Sequence, residues 1–476
     1  MRTHLQDKLE LWTLRLRTAR KQLRQLRDKL RWATQRQQKL EARVAELEDL
    51  TQPRLVADHT YPAQMMLLAI YMVAQAGVSL RAAAKTVSFY STMMGWEYGQ
   101  PSHVTVLRWV LRAGLYQLQQ SASKANRSGA HWLGILDESI SLGGEKLLLL
   151  LGVKLPAGGV EALGALTHQD VEVLAMQVAP SWKAEQIAAF LNDAILTPDT
   201  ATKLDYVVCD GGTNLGKALK QSKIARVGDL THVLMNLVKK WYAVDQRLSD
   251  FCAAVGTLRR QNILGQYGYV VPATLRDKDR FLRIFNLVDW VDKIDAAWEG
   301  LDEQARQKLA FLTTHCELIT ELVQVRYVVS MTLKVFKRRG LSERSIKLWE
   351  WLVHRWLAKQ SQLPPSISDL LDEIRCYLKD HELLRQQHGT LLCYSDIIES
   401  IFGRYKNKAG VKAISADVLK IPLYGVELTL DFVSEALLNV SYQEVYEWET
   451  KNTCPTRFGQ IRAMRGAGQK PVKDAA

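Results

Sequence analysis

Cysteine is scarce in this chain, and no two cysteines lie close together along it. The 476 residues contain six cysteines, none at the CxxC spacing that marks a zinc ribbon or a redox pair. A small secreted domain held together by disulfides would need many more. The cysteine pattern therefore indicates neither a structural zinc site nor a disulfide framework.

Long apolar runs are missing as well. The longest, Leu147–Val153, is far shorter than the roughly 20 residues that a membrane-spanning helix requires. The first residues, MRTHLQDKLELW, lack the apolar stretch of a secretory signal. An obvious serine or tyrosine nucleophile motif is also absent. We therefore expect a cytoplasmic protein without a membrane partner.

Positive charge is the main compositional excess. Lysine and arginine total 63 against 50 aspartates and glutamates, a formal net charge of +13. The contents of hydrophobic residues, 47%, and of charged residues, 24%, are ordinary for a folded protein. The length predicts two to four domains. Excess positive charge favours a polyanionic partner, and nucleic acid is the first to consider.

Residues 1–52 have the pattern of a coiled coil. Apolar residues recur at alternating steps of four and three, interrupted only at Ala19, Ala33 and Gln37. Such a stripe on a charged helix requires a partner helix, so we expect a homo-oligomer. The charged face could be solvated or could contact DNA. The stripe is Leu5, Leu9, Trp12, Leu16, Ala19, Leu23, Leu26, Leu30, Ala33, Gln37, Leu40, Val44 and Leu47.

Residues 58–118 resemble a helix-turn-helix DNA-binding unit. A turn at Gly77-Val78-Ser79 separates two predicted helices, and a third begins after Pro101. In such a unit the last helix enters the major groove, and its early residues contact bases or phosphates. The residues in those positions are Ser102, His103, Thr105 and Arg108. A helical bundle that only links domains is the alternative.

Residues 130–235 change to a strand pattern. Short buried runs, separated by turns and amphipathic helices, predict the order β-β-β-α-β-α-β-α and hence a mixed five-stranded sheet. The predicted strands are His131–Asp137, Lys146–Leu155, Val171–Val178, Leu204–Cys209 and Arg226–Leu230.

The remainder is predicted to be helical. Residues 236–390 read as an all-helical insertion, and residues 391–449 as the last part of the sheet domain, with one helix over Phe432–Trp448. Residues 450–476 are basic, with little apolar periodicity, and are predicted to be a disordered tail.

Three carboxylates stand out by position. Asp137 ends the first strand, Asp210 ends the fourth, and Glu399 lies on a late helix. Carboxylates brought together repel one another unless a divalent cation lies between them, and Mg²⁺ suits oxygen ligands. Asp229 could replace Asp210, and Asp396 could replace Glu399. Glu138 should point to the opposite face of its strand from Asp137.

At these residues the chain resembles the DDE transposases. The resemblance rests on Leu136-Asp137-Glu138-Ser139, on Cys209-Asp210-Gly211-Gly212, and on Glu399-Ser400-Ile401-Phe402-Gly403 followed by Lys406 and Lys408. The segment Asp229-Leu230-Thr231-His232 resembles a stretch that precedes the helical insertion of the hAT group, with Asp229 where those proteins have cysteine. A bacterial insertion-sequence enzyme, associated with the nucleoid, fits better than a eukaryotic one.

The resemblance implies a ribonuclease-H-like α/β core, interrupted by the all-α insertion and preceded by the coiled coil and the helix-turn-helix-like unit. It implies catalysis by Asp137, Asp210 and Glu399 with two Mg²⁺ ions, which Mn²⁺ can replace, and His232 nearby. The reaction would be cleavage at transposon ends and strand transfer into target DNA. A non-catalytic DNA-binding regulator and a structure-specific nuclease are the alternatives.

Basic and aromatic residues elsewhere add to the expected DNA surface. Trp290 and Trp298 read as core residues of the insertion, or alternatively as platforms for a flipped base. The predicted phosphate contacts are Lys337, Arg338, Arg339, Arg404, Lys406 and Lys408.

Overall fold

A computed structural model describes most of the chain and divides it into two compact units. The described residues are 22–24, 26–45, 52–127, 132–139, 144–156, 158–195, 204–272, 280–407 and 414–455. The first unit comprises residues 1–110 and 428–439, and the second residues 111–427 and 440–476. The predictions for residues 1–21, for Lys408 and for the tail beyond residue 455 lie outside the described ranges.

The elements follow the predicted order. The strands are β1 (Trp132–Glu138), β2 (Lys146–Lys154), β3 (Val171–Ala179), β4 (Leu204–Cys209) and β5 (Arg226–Gly228). The helices are α1 (Ala63–Ile70), α2 (Leu80–Met93), α3 (His103–Arg127), α4 (Ala184–Ile195), α5 (Thr213–Gln221), α6 (Leu230–Tyr242), α7 (Gln246–Asn262), α8 (Arg280–Ala297), α9 (Glu303–Leu309), α10 (Phe311–Thr314), α11 (Cys316–Arg339), α12 (Glu343–Leu357), α13 (Pro365–Asp380), α14 (Glu382–His388), α15 (Asp396–Lys406), α16 (Leu430–Asn439) and α17 (Tyr442–Asn452). Residues 26–45 form an N-terminal helix.

The first unit is helical. The predicted starts of its helices at Ala63, Leu80 and His103 are confirmed. Helix α2 begins after Ser79, whose side chain accepts a hydrogen bond from the Ala82 N–H at 3.2 Å, as expected of an N-cap. Helix α1 packs against α2 and α16 through its buried apolar face. Because α16 comes from residues that the sequence assigned to the end of the sheet domain, the first unit is built from two separate stretches of chain.

The second unit is organised around the mixed sheet, which confirms the coarse prediction of fold class. The strand order is β3-β2-β1-β4-β5. Strands β1–β2 and β2–β3 pair antiparallel, while β1–β4 and β4–β5 pair parallel. Parallel strands that are consecutive in space end at the same edge of a sheet. The carboxyl ends of β1, β4 and β5 therefore lie side by side.

Both faces of this sheet are covered. Helices α4 and α5 pack on one face, where Trp132, Leu136 and Val207 join a single buried cluster with Phe190 and Leu215. The opposite face is covered by α15 against β1, and by α17 and the 3-10 segment Ala416–Leu423 against β3. Burial on both faces explains why the strands read as continuous apolar runs in the sequence.

The described residues between β5 and α15, where the sequence predicts an all-helical insertion, form helices α6 to α14 and short 3-10 turns. Helix α6 packs against α8, α11 and α13. A buried polar network joins three of these helices, because the Tyr242 hydroxyl donates to Glu321 at 2.6 Å and lies 3.3 Å from the Ser366 hydroxyl. The insertion meets the sheet where the Tyr377 hydroxyl donates to the Gly228 carbonyl at 2.7 Å.

The prediction of one helix over Phe432–Trp448 is wrong. Two helices, α16 and α17, are separated at Val440-Ser441. Ser441 starts α17 in a capping box with Glu444, in which each side chain accepts a backbone N–H of the other residue. That exchange favours a new helix start over continuation. Across the described ranges, no helix is both long enough and apolar enough to cross a membrane.

A close backbone contact gives a stability test. A Cβ on Gly114, in α3, would lie 1.7 Å from the Leu419 carbonyl oxygen, whereas a Cβ on Gly403, in α15, would have no heavy atom within 4 Å. We expect Gly114→Ala to lower the free energy of unfolding by about 3 kcal/mol or more, because backbone must move. Gly403→Ala, the matched control, should raise it by about 0.5–1 kcal/mol. Urea denaturation followed by circular dichroism measures both, and equal values for the two variants would contradict the close contact.

Candidate active site

Asp137 and Asp210 are neighbours at the carboxyl edge of the sheet. Leu136 of β1 pairs in register with Cys209 of the parallel strand β4. The residues that follow them, Asp137 and Asp210, therefore lie side by side. Adjacent strands lie about 4.8 Å apart. Asp137 Oδ1 accepts the N–H of Glu138 at 2.8 Å, and Asp210 Oδ1 accepts the N–H of Gly212 at 2.8 Å. These local bonds hold each carboxyl group while leaving its second oxygen available.

Glu399 reaches the same edge from α15. Its Oε1 atom lies 3.4 Å from Nε2 of His232, which is in the first turn of α6. His232 also lies beside Asp229, with Nδ1 3.3 Å from Asp229 Oδ1. The imidazole ring thus stands between a buried carboxylate and the more exposed carboxylate of Glu399. Five side chains named from the sequence therefore lie near this edge: Asp137, Asp210, Asp229, His232 and Glu399.

Asp229 connects the two helices that carry His232 and Glu399. It is the N-cap of α6, where Oδ1 accepts the His232 N–H at 2.8 Å. Oδ2 accepts both the N–H and the hydroxyl of Ser395, each at 2.6 Å, and Ser395 immediately precedes α15. Both oxygens are therefore occupied, and the residue is only 1% exposed. This arrangement does not favour Asp229 as a replacement for Asp210 in binding a ligand.

Burial and the charges of neighbouring side chains change the pKa values of the carboxylates and of His232. Burial, followed by the negative charge of Asp210 and to a smaller extent that of Glu399, raises the pKa of Asp137 to about 7. Burial raises the pKa of Glu399 above its ordinary value as well, although the positive charge of His232 opposes this. The contact with Asp229 raises the pKa of His232 to about 9, against the effect of burial. The ring is therefore cationic at neutral pH.

Asp229 itself behaves differently from the other carboxylates. Burial alone would raise its pKa, but hydrogen bonds from His232 and Ser395 hold the pKa of Asp229 below its ordinary value. Asp229 therefore remains an anion at neutral pH. Its negative charge favours the protonated ring of His232.

Two lysines bring further positive charge to the site. Lys337, near the end of α11, pairs with Asp396 on α15, and its charge opposes the raised pKa of Glu399. Lys406 lies in the last turn of α15. Burial lowers the pKa of Lys406, and the negative charge of Asp137 opposes that change. Because Asp396 is paired with Lys337, Glu399 is the helix carboxylate that the arrangement directs toward Asp137.

The donor set is suited to a hard divalent cation, since it consists of carboxylate oxygens. Within the described ranges, no group of three His, Cys, Asp or Glu side chains lies at ligand spacing as the side chains stand. The second oxygens of Asp137 and Asp210 nevertheless accept no hydrogen bond from the described part of the chain. Their mutual repulsion is the electrostatic condition that a cation relieves. The residues thus fit Mg²⁺ in chemistry and in charge.

The predicted DNA contacts lie in three places. Ser102, His103 and Arg108 are exposed at the start of α3 in the first unit, where the Ser102 hydroxyl caps the helix by accepting the Thr105 N–H at 3.0 Å. Arg338 and Arg339 are exposed at the end of α11. Arg404 stands apart from both groups.

Arg404 is engaged within the second unit. Its guanidinium lies 4.2 Å from the centre of the Tyr424 ring, and its Nη1 atom lies 3.3 Å from His168 Nδ1. His168 also contacts the Ser400 hydroxyl at 3.3 Å. The connection between β2 and β3 thereby holds the exposed side of the Glu399 helix. Nothing in the sequence pattern around His168 pointed to this contact.

Other candidates have local roles. Glu138 pairs with Lys146 at 2.9 Å, as expected for a side chain on the face opposite Asp137. Trp290 is buried and donates to the Val270 carbonyl at 3.0 Å, which confirms it as a core residue. Trp298 is half-buried, with Arg306 6.0 Å from its ring centre. The hydrogen bonds between Ser395 and Asp229 were not predicted from the sequence. An aspartate just before a predicted helix is nevertheless the pattern of an N-cap.

Comparison with known proteins assigns no family to this geometry. No family model matches the chain, and no curated protein matches it. The chemistry of the site must therefore be inferred from its own residues.

The raised pKa of Asp137 predicts a pH-dependent stability. The folded protein holds the Asp137 proton more tightly than the unfolded chain does, so this group stabilises the fold fully below pH about 4 and loses that effect as pH rises through about 7. In metal-free buffer, Asp137→Asn should therefore be more stable than the wild type by about 2–4 kcal/mol at pH 8, and by less at pH 5. Denaturation curves at both pH values measure the difference. The exposed Asp193→Asn is the control, and parallel pH curves for wild type and Asp137→Asn would refute the expectation.

The bridging role of Asp229 predicts a large loss on truncation. Asp229→Ala leaves the buried donors of His232 and Ser395 unpaired, so we expect the free energy of unfolding to fall by about 2–5 kcal/mol. Asp302 is an exposed N-cap, accepting the Ala305 N–H at 2.7 Å. Asp302→Ala should cost only about 0.5–2 kcal/mol. Urea denaturation compares them, and similar losses in the two variants would show that Asp229 is no more than a helix cap.

Proposed function

We propose that this protein is a DNA transposase of the DDE class, a metal-dependent polynucleotidyl transferase that cleaves transposon ends and joins them to target DNA. The observation that carries the proposal is the meeting of Asp137, Asp210 and Glu399 at one edge of the sheet. They come from two adjacent parallel strands and from a helix that follows a long helical insertion.

The topology supports a ribonuclease-H-like core. Three consecutive antiparallel strands, β1 to β3, are followed by two parallel strands on the other side of β1, which gives the order β3-β2-β1-β4-β5. Helix α15 then packs on β1 and presents Glu399 near Asp137. The position of the insertion between β5 and α15 matches the resemblance found in the sequence.

Asp137, Asp210 and Glu399 would hold Mg²⁺, or Mn²⁺ in its place. When bound, a pair of such ions would lower the pKa of the attacking water or DNA 3′-OH and stabilise the leaving oxygen. The protein's part is to bring three carboxylates to one edge of the sheet. The bonds from Glu138 and Gly212 orient the two aspartates, and the Asp229–Ser395 bridge places the glutamate helix.

The positive side chains suit a substrate that carries several phosphates. His232, Lys337 and Lys406 surround the carboxylates, and each is placed so that its charge acts on one of them. We propose that these groups offset the charge of the phosphate backbone at the site. Arg338 and Arg339 would extend that contact along α11, while Ser102, His103, Thr105 and Arg108 would bind DNA from the first unit.

Cleavage of DNA carrying the element's own flanking sequences tests the proposal. We expect Mg²⁺- or Mn²⁺-dependent nicking by the wild type, and a loss of at least about 10²-fold in Asp137→Asn, Asp210→Asn and Glu399→Gln, since each removes a charge that holds the metal. Asp396→Asn is the matched control, because it lies on the same helix but is paired with Lys337. Its rate should stay within a few-fold of the wild type.

The outcomes separate the alternatives. Specific DNA binding without metal-dependent nicking by the wild type would identify a non-catalytic regulator. Nicking that never proceeds to joining, in a strand-transfer assay with pre-cleaved ends, would identify a structure-specific nuclease. Equal nicking by wild type and Asp137→Asn would overturn the assignment of the carboxylates.

A further inference from the structure

The N-terminal helix carries an apolar stripe without a partner in the described ranges. Leu23, Leu26, Leu30, Leu40 and Val44 are each more than half exposed, from 51% to 68%. Together with Ala33 and Gln37 they recur at alternating steps of three and four residues, which places them on one side of the helix. A stripe of this length is stable in water only when another helix covers it.

We infer that two copies of this chain associate through this helix as a parallel, in-register coiled coil. The a positions of the heptad are Leu23, Leu30, Gln37 and Val44. The d positions are Leu26, Ala33 and Leu40. The two small Ala33 side chains suit the narrow seam of two helices, since a wider bundle would leave a cavity at that layer.

Gln37 supports the same register. It is the one polar side chain of the seam within residues 26–45. In a parallel, in-register pair it faces Gln37 of the second copy, and each amide can donate to the other. Any shift of register would oppose the amide to a leucine or a valine and leave it only the bond that it donates to Glu41 of its own helix at 2.8 Å. Polar residues at a positions set register in this way.

The charges beside the seam determine the orientation. In a parallel pair, Arg36 at position g faces Glu41 at position e of the second copy, and symmetry repeats the attraction. In an antiparallel pair, g positions face g positions, which would set Lys29, Arg36 and Arg43 against one another. Within one helix the Arg36 guanidinium lies 5.2 Å from the centre of the Trp32 ring.

Parallel pairing has a consequence for the rest of each chain. Both helices then deliver residue 45 to the same end of the coiled coil. An antiparallel pair would separate these ends by about 30 Å over residues 26–45 alone, at 1.5 Å per residue. Two DNA-binding units leaving the coiled coil at one end suit a protein that handles two DNA ends together. The pairing itself is independent of the proposed chemistry.

Cysteine cross-linking of the full chain tests orientation and register. In a background with the exposed Cys316 and Cys376 changed to serine, Leu23→Cys and Gln37→Cys are each oxidised and analysed by non-reducing electrophoresis. A parallel, in-register pair brings both positions opposite their own copies, so both variants should form covalent dimers. Gln35→Cys, at the outward f position, is the control and should cross-link at least about tenfold more slowly.

An antiparallel pair can bring at most one of the two positions opposite itself. Cross-linking at only one of them, or at neither faster than in Gln35→Cys, would overturn the inference, as would a wild type that sediments as a monomer.

Charge variants give a second measurement that leaves the seam intact. Glu41→Arg should weaken the dimer about tenfold in sedimentation experiments, and the double variant Arg36→Glu/Glu41→Arg should restore it. Equal affinity of all three proteins would exclude the Arg36–Glu41 contact.

Discussion

The carboxyl group of Asp229 holds together two chain segments 166 residues apart, and the candidate site depends on that link. One oxygen caps α6, and the other accepts two hydrogen bonds from Ser395 at the start of α15. A backbone bond from Leu230 N–H to the Cys393 carbonyl at 2.8 Å strengthens the junction. Because loop-closure entropy grows slowly with length, a long helical insertion between these points costs little once the junction forms.

The electrostatics of the site follow from bringing acids together at the edge of a sheet. Asp137 is half-buried beside Asp210, and burial together with the charge of Asp210 raises the pKa of Asp137 to about 7. His232, Lys337 and Lys406 offset part of that charge from α6, α11 and α15. The repulsion among the carboxylates makes the arrangement suitable for a cation, and the three positive groups make it suitable for a phosphate. In this view, His232 belongs to the site because Asp229 keeps it protonated and Glu399 lies 3.4 Å away.

Much of the sheet could be predicted because its strands are buried on both faces. The runs ending at Asp137 and Cys209 are apolar along their length, and their strand character and terminal carboxylates are visible in the chain itself. The register that makes Asp137 and Asp210 neighbours was not visible, because it depends on pairing between β1 and β4 across distant sequence. The break at Val440-Ser441 was missed for a different reason, since it arises from a local capping exchange within an apolar pattern that otherwise continues.

By itself the sequence determined the order of strands and helices, the heptad stripe of the first fifty residues, and the three carboxylates of interest. These follow from local properties: apolar period, turn residues and the position of a charge after a buried run. Only the tertiary structure decided which acids remain available, since Asp229 and Asp396 differ from Asp210 and Glu399 in their partners rather than in their sequence surroundings. Contacts between distant segments made that distinction, because both oxygens of Asp229 accept hydrogen bonds from His232 and Ser395, while Asp396 is paired with Lys337.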